Sequence, residues 1–474
     1  MSSVNNLFGS RLNVLNVGLE QFYLTLQQQN VESGHVEWKP RAQGDLEYVK
    51  MVDALTSDPR VVEANQKAFN KLNAAAPVWV DVKPAHQAIH LDRYTLLHAG
   101  PPIEFKDMCV PMQGAVFAAL MYEGLAENDV QAHELALNRI HFEPCHHYGC
   151  VGPMTGVISY SMPLLCVKNT EEGNMAYSTF NEGAGDVARF GAYGENTVRR
   201  LKWIETVLAP TMKNIVDKGS VNLKVLISQA LNMGDELHMR NNSSTSIFLK
   251  TIMAALTESA DSNSLPEIAR FLTTNNDQFF LNFAMAAMKA SADAASHIPY
   301  STMVTAMARN GVNIGIRVSG LYDQWFIAPA ADVDGLYFPG YTADDANPDI
   351  GDSAIMETGG VGGFAMAAAP AIVKLLGAGS VADALNYTHE MYDICLGESA
   401  MFAIPNLNFR GSPLGINIVR VVETGTLPVI NTAIASKKAG GGMVGAGVAR
   451  TPIAMFKEAI KTLYKQMEES YERF

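Results

Sequence analysis

Apolar positions recur with different periods along the chain, and each period predicts a different kind of element. In the first hundred residues, short β-rich runs at 12–17, 35–38 and 77–82 alternate with helical spacing at 19–29 and 59–72. Gly18 allows a tight turn after the first run. Strands alternating with helices predict a parallel sheet covered by helices. This part reads as a small Rossmann-like domain over residues 1–110. It has no G-x-G-x-x-G after its first strand, so no dinucleotide is inferred there.

Residues 112–123 and 129–137 follow as short apolar helices and open the first part of an α+β body, 111–194. Between 195 and 298 apolar residues recur every three or four positions, which predicts a central helical domain. Its segments are 197–207, 209–217, 223–231, 246–259, 266–272 and 278–296. Residues 286–295 are almost all small, so that helix is expected to pack backbone against backbone at the centre. From 299 to 474 the texture is mixed and rich in glycine, the second part of the body. Strands are expected at 313–318 and 416–422, and helices at 363–376, 381–397 and 452–469. The fold class is thus α/β and α+β multidomain.

Composition narrows the partners. Of 474 residues, 48% are apolar and 18% charged, enough to bury a large core and unlike a disordered chain. The net charge of −13 lacks the basic footprint that nucleic-acid binding needs. An anionic ligand would therefore have to be held by a local cluster of Arg, His and backbone N–H groups. The longest apolar run, 359–373, falls short of the roughly 20 residues that a bilayer requires. Residues 1–16 lack the layout of a signal peptide. Cys109, Cys145, Cys150, Cys166 and Cys395 are too sparse for a disulfide framework. The expectation is a cytoplasmic protein that binds neither nucleic acid nor membrane.

Five stretches carry candidate chemistry. Residues 142–153 place Cys145, His146, His147 and Cys150 close together. This stretch is an active-site loop with a polarising histidine, a packing turn with inert thiols, or a zinc site on Cys145, His146 and Cys150; a closed zinc site needs four ligands. In residues 233–242, Asp235, His238 and Asn242 have helical spacing, so they can share one face beside Arg240 and Asn241. A surface helix end is the alternative. Arg309 and Asn310 precede Gly311, and Arg317 ends a strand; two guanidinium groups can clamp a carboxylate or phosphate, or simply form ion pairs. Asp352 and Glu357 lead into Gly359, Gly360, Gly362 and Gly363, where a helix start can offer N–H groups to an anion. Close helix packing is the other use of such glycines. Gly440, Gly442 and Gly445 spell G-x-G-x-x-G without a βαβ unit, so they read as a loop that can face phosphate beside Lys437 and Lys438, or as a plain turn. The chain has no P-loop, nucleophile-elbow or zincin motif.

Several of these stretches occur in one order in a known family. They are Leu97-His-Ala-Gly-Pro-Pro102, Pro144-Cys-His146 with Cys150-Val-Gly152, Gly234-Asp-Glu236 with His238 and Arg240-Asn241, Ala308-Arg-Asn-Gly311 with Arg317-Val-Ser-Gly320, and Gly351-Asp-Ser353 with Glu357-Thr358. The chain resembles the YlbE/YahG-like family, long a domain of unknown function, over about residues 12–457. That family includes the AllG-type subunit of oxamate carbamoyltransferase, which acts in allantoin and purine breakdown. The resemblance implies a hetero-oligomer with FdrA-like and AllH-type subunits; a homo-oligomer stays open. It also implies the reaction oxalurate + phosphate ⇌ oxamate + carbamoyl phosphate, with a separate carbamate kinase downstream. A non-catalytic scaffold docking an FdrA-like partner is the alternative. The family fold is a Rossmann-like N-terminal domain, a helical domain and α+β domains.

On this reading Arg309 and Arg317 hold substrate carboxylate or phosphate, with Arg240, Asn241, Asn310 and Asp352 as further contacts. Gly359, Gly360 and Gly362 supply N–H groups. His146 or His238 polarises the carbonyl or passes a proton. Asp235 and Glu357 orient these groups. No cofactor is expected; zinc and magnesium stay open. Unlike the aspartate and ornithine transcarbamoylases, the chain has no Ser-Thr-Arg-Thr motif. All these groups are expected to converge in one cleft.

Overall fold

The computed structural model describes residues 13–36, 38–183, 187–274, 276–377 and 379–472. The strands Asn13–Val17 and Glu32–Val36 pair in parallel around the helix Glu20–Gln28. The expected Rossmann-like sheet over 1–110 does not continue from them, because later strands of this segment join other sheets. Pro77–Pro84 lies between Pro163–Asn169 and Val221–Asn222, antiparallel to both. Thr95–His98 pairs in parallel with His141–Pro144 and antiparallel with Val157–Ile158. Pairing with distant chain buries Thr95–His98 throughout and Pro77, Trp79 and Val82 of the other run, which a local sheet of so few strands cannot do.

The helices of 195–298 pack on the sheet that contains Pro77–Pro84. Trp79 from that strand meets Phe283 edge-on, ring centroids 5.1 Å apart, and lies 6.0 Å from Phe248. The small-residue helix Leu281–Asp293 is buried from Leu281 to Ala292 and lies against the strands Pro163–Asn169 and Met175–Thr179. Its small side chains let backbone and sheet approach closely, as its composition predicts.

The body contains a four-stranded sheet ordered Phe326–Pro329, Asn313–Val318, Val304–Asn310, Ile350–Gly351. A second, three-stranded sheet is ordered Asp334–Tyr337, Met443–Arg450, Val429–Ala435. Gly445 of the glycine motif lies inside the strand Met443–Arg450, while Gly440 and Gly442 form the preceding hairpin turn.

Three local expectations change. Residues 416–422 are not a strand; Ile418–Thr424 is a helix. The Asn417 side chain caps it by accepting from Val419 N, and Gly425 ends it at φ +74°. Its β-branched residues are buried against Leu46–Ser57 and Ile453–Glu472, and this packing outweighs their strand preference. Residues 363–376 are not one helix either. Gly362–Ala368 is a 3-10 segment and Ile372–Leu376 a short helix, separated at Pro370, which has no N–H to donate. Residues 233–241 are irregular, so the shared helical face expected for Asp235, His238 and Asn242 does not form.

Two large buried apolar clusters fill the molecule. Residues 350–368 run along their boundary, sending Ile350, Ala354, Phe364 and Met366 into one, and Ile355, Met356, Val361 and Ala367 into the other. Most of the candidate site residues lie on or beside this boundary. No helix among the described residues is long and apolar enough to cross a membrane.

Candidate functional site

The boundary carries two polar seams instead of one cleft. In the first, the Asp352 carboxylate accepts from Gly100 N and Gly152 N, both at 2.8 Å, and so ties two loops together. His146 Nε2 stands 3.6 Å from Asp352 Oδ1, and neither ring nitrogen has a hydrogen-bond partner among the described residues. Burial pushes Asp352 up to about 7. Burial, then the charges of Lys289 and Arg317, hold His146 well below its usual value. The two groups therefore favour a neutral pair. Lys289 Nζ and Arg317 Nη1 both lie 3.4 Å from the His146 carbonyl oxygen, and each has its own carboxylate, Asp293 and Asp323. The His146 ring also meets Trp325 edge-on.

Arg309, expected to clamp substrate, is fully buried and saturated. Its Nε and Nη2 bind the two oxygens of Asp349 at 2.8 and 3.0 Å, and Nη1 donates to Gly351 O at 2.7 Å. Thr432 and Ser353 complete its surroundings. Asn310 is equally committed, donating to Pro101 O and accepting from Val312 N and Asn313 N.

The second seam gathers His238, Glu357 and Glu236. His238 Nδ1 and Glu357 Oε1 are 2.7 Å apart. Glu236, not singled out by the spacing argument, accepts from the backbone N–H groups of His238, Met239 and Arg240, and burial pushes it up to about 7. Asp235 accepts from Ser244 N, with Arg240 Nε 3.5 Å from its other oxygen. The glycines do not form an anion cradle. Gly359 N and Gly360 N bond to Ile355 O and Glu357 O, Gly362 N to Glu236 O, and Gly363 N to Glu357 Oε1. A Cβ at Gly359 would overlap Met288, and one at Gly362 would overlap Glu357, so both positions serve close packing.

The zinc alternative finds no support in the geometry. Cys145 faces Asp352, and burial raises its thiol well above the usual range; Cys150 Sγ points to Tyr148 O at 3.6 Å. Among the described residues no group of three or more His, Cys, Asp or Glu is arranged to hold a metal ion.

Open space lies elsewhere, in a chamber of about 530 Å³ lined by Arg189, Phe190, Asn241, Asn276, Gln278, Gly440 and Gly442 among others. The local chain fixes Arg189 there. Asn181 holds Ala188 through both polar atoms of its side chain, Thr155 Oγ1 accepts from Gly191 N, and Gly440 N donates to Phe190 O. Gly191 packs so tightly on Pro111 that no Cβ fits, and its φ is +75°. The guanidinium pairs with buried Glu182, donates from Nη2 to Gln278 Oε1 at 3.2 Å and lies over the Phe190 ring. Gln278 in turn donates to Met239 O at 2.9 Å.

Of the candidate residues singled out in the sequence, Asn241, Asn242, Gly440 and Gly442 line this chamber. Arg189, Glu182, Asn276 and Gln278 were not expected there. The available signal was an arginine beside an aromatic residue in a glycine-rich connection before the helical block.

Residues 140–353 match the family described as oxamate carbamoyltransferase subunit AllG. The chain is 43% identical over 462 residues to the uncharacterized protein YahG of Escherichia coli K12, covering 96% of this chain and 98% of YahG. It is 43% identical over 413 residues to the oxamate carbamoyltransferase subunit AllG of the same organism, covering 86% of this chain and 98% of AllG. A crystal structure of a conserved protein of unknown function from Enterococcus faecalis V583 superposes with a TM-score of 0.82 at 43% identity, covering 85% of this chain and 97% of that one.

Proposed function

We propose a role from one premise: this chain belongs to the family of AllG and YahG, that of the oxamate carbamoyltransferase subunit AllG. On this reading it is a subunit of a cytoplasmic carbamoyltransferase in allantoin degradation. The enzyme catalyses oxalurate + phosphate ⇌ oxamate + carbamoyl phosphate, together with FdrA-like and AllH-type subunits. The observation that carries the reading is 43% identity along 98% of a protein named for that activity.

The chemistry is a displacement at the ureido carbonyl. A phosphate oxygen forms the new C–O bond, the C–N bond breaks, and the departing amide nitrogen takes the proton that phosphate gives up. The intermediate oxyanion needs preorganised donors. In this chain His146, Asp352, His238 and Glu357 are sealed from solvent. This closure supports an enzyme that turns over only when assembled, with reacting groups completed at a subunit contact.

The test is carbamoyl phosphate formation from oxalurate and phosphate, with this chain alone and with both partner types. Turnover only in the assembly is expected. An assembly with no turnover sinks the reading. The closed seams equally favour the second reading, a scaffold that docks the FdrA-like subunit. On that reading, substitutions at the Arg189 chamber leave KM and kcat of the assembly unchanged.

A further inference from the structure

We propose that the chamber beside the Gly440–Gly442 turn binds a small planar carboxylate with an adjacent amide, of the oxamate and oxalurate class, and that Arg189 takes this carboxylate in exchange for Glu182. The ligand's identity rests on the functional reading above. The site itself rests on geometry.

Four observations point the same way. First, about 530 Å³ lies within the range of small-molecule sites and exceeds the needs of a ligand with a handful of heavy atoms. Second, the chamber wall, with Glu182 behind it, has unmet hydrogen-bonding capacity. Arg189 Nε has no partner among the described residues, and neither do Glu182 Oε2 and Asn276 Oδ1. Glu182 is fully buried and Asn276 is 3% exposed, so water does not readily satisfy them. Buried polar groups are nearly always paired, and exceptions beside a cavity call for a missing partner. Third, the types match. A guanidinium presents a fork of donors to a carboxylate. The side-chain amides of Asn241, Asn242, Asn276 and Gln278 can each accept from an amide N–H or donate to a carbonyl.

Fourth, the charge balance selects a monoanion. Arg189 brings one positive charge, already matched by Glu182. Asp277 stands exposed at the rim, its carboxylate bound to Asn242 Nδ2 at 2.8 Å. Lys437 and Lys438 lie in the neighbouring hairpin turn and attract anions generally. The one guanidinium in the wall, already facing Glu182, suits a planar carboxylate that its fork matches better than inorganic phosphate, which at neutral pH is a mixture of monoanion and dianion. The phosphate reactant then belongs to another surface of the assembly.

Glu182 makes the exchange workable. Arg189 is the charged group that faces it, and Gly183 N approaches Oε1 at 3.4 Å. Burial already raises this carboxyl above the usual range. When the ligand takes the guanidinium, one ion pair breaks and one forms. The buried Glu182 carboxylate, left without a cation, takes one proton from solvent.

The experiment is titration calorimetry of the full chain with oxamate, and separately with inorganic phosphate, for wild type, Arg189→Gln and Glu182→Gln. Expected results are oxamate binding by wild type and a roughly tenfold to hundredfold loss in Arg189→Gln. Glu182→Gln is expected to bind tighter, because the competing carboxylate is gone. The wild-type binding heat should shift between buffers of different ionisation heat, and the Glu182→Gln heat should not. Glu182→Gln keeps the side-chain shape, so it reports even where Arg189→Gln does not fold. Unchanged affinity in folded Arg189→Gln, weaker binding in Glu182→Gln, or no oxamate binding by either wild type or Glu182→Gln overturns the site. A buffer-independent wild-type heat overturns the exchange. Tighter binding of phosphate than of oxamate overturns the ligand class. Adding the assembled enzyme separates the two claims. Turnover with a KM indifferent to Arg189→Gln rejects the site and keeps the function. Arg189-dependent oxamate binding without turnover in the assembly does the reverse.

Discussion

Arg309 and Arg189 each pair with a carboxylate away from bulk water, and the difference between them lies in what remains unpaired. Arg309 meets both oxygens of Asp349, a backbone carbonyl and two hydroxyls, and it does not line the chamber. Arg189 makes one contact with Glu182, one with Gln278 and one with the Phe190 ring, its Nε has no partner among the described residues, and space for a ligand lies beside it. Residue type is the same in both places. Leftover hydrogen-bonding capacity next to open volume distinguishes a binding group from a structural one.

The sharpest way to break this contrast is Arg309→Met. It leaves the Asp349 charge buried and unpaired, which is expected to lower stability by about 3–5 kcal/mol. Urea unfolding of this variant beside Arg189→Gln checks the point. A loss under about 1 kcal/mol at Arg309 would mean that the saturated pair is not structural. Gly362→Ala tests the second seam with a smaller effect. Its φ of +62° and the overlap of a Cβ with Glu357 predict a loss of about 1–3 kcal/mol. A neutral result would show that Glu357 can move, and that the seam has slack the structure does not display.

The next test uses pH. The folded chain holds His146 neutral well below its ordinary value of 6.5, whereas the unfolded chain accepts a proton there. Below pH 6.5 the unfolded state binds more protons, so this residue makes stability fall as pH falls, by up to about 1.4 kcal/mol per pH unit. Asp352 acts in the opposite sense. Its raised value of about 7 makes stability fall as pH rises from its ordinary 3.8 toward 7. His146→Gln removes the first contribution alone. The difference between wild type and variant should therefore grow from pH 5 to 6.5 and be flat above 7. A difference independent of pH would show the imidazole open to solvent and the first seam accessible after all.

Periodicity made the helical middle legible because those helices bury one face against a sheet and their spacing records it. The small-residue helix Leu281–Asp293 was legible from composition instead, because it is buried on every side from Leu281 to Ala292. Residues 416–422 misled because a β-branched run takes helical form once capped by Asn417 and Gly425 and packed on two helices. The sheets of the first hundred residues misled because pairing with strands 46–144 residues away leaves no local trace. In the site, residue types singled out His146, His238 and Glu357, which the fold buries. They could not show that Arg309 and the glycine N–H groups are already consumed by internal partners. Arg189 escaped notice because its partners, Glu182 and Gln278, lie on both sides of it in sequence and meet only in the fold.

The smallest expected effect probes the open side of the comparison. Gln278 is half-buried, donates to Met239 O and accepts from Arg189, so it aims the guanidinium without pairing its charge. Gln278→Ala gives up two partly exposed hydrogen bonds, one neutral and one from the guanidinium, and about 1 kcal/mol of stability should be lost. Oxamate affinity should fall about threefold to tenfold, because Arg189 must then find its orientation when the ligand arrives. A stability loss as large as that of Arg309→Met, with ligand affinity unchanged, would place Gln278 and Arg189 with the saturated pair. The distinction between sealed seam and open chamber would then have no energetic meaning. The opposite pattern, a nearly silent denaturation curve with a measurable shift in binding, is what a ligand-aiming side chain requires.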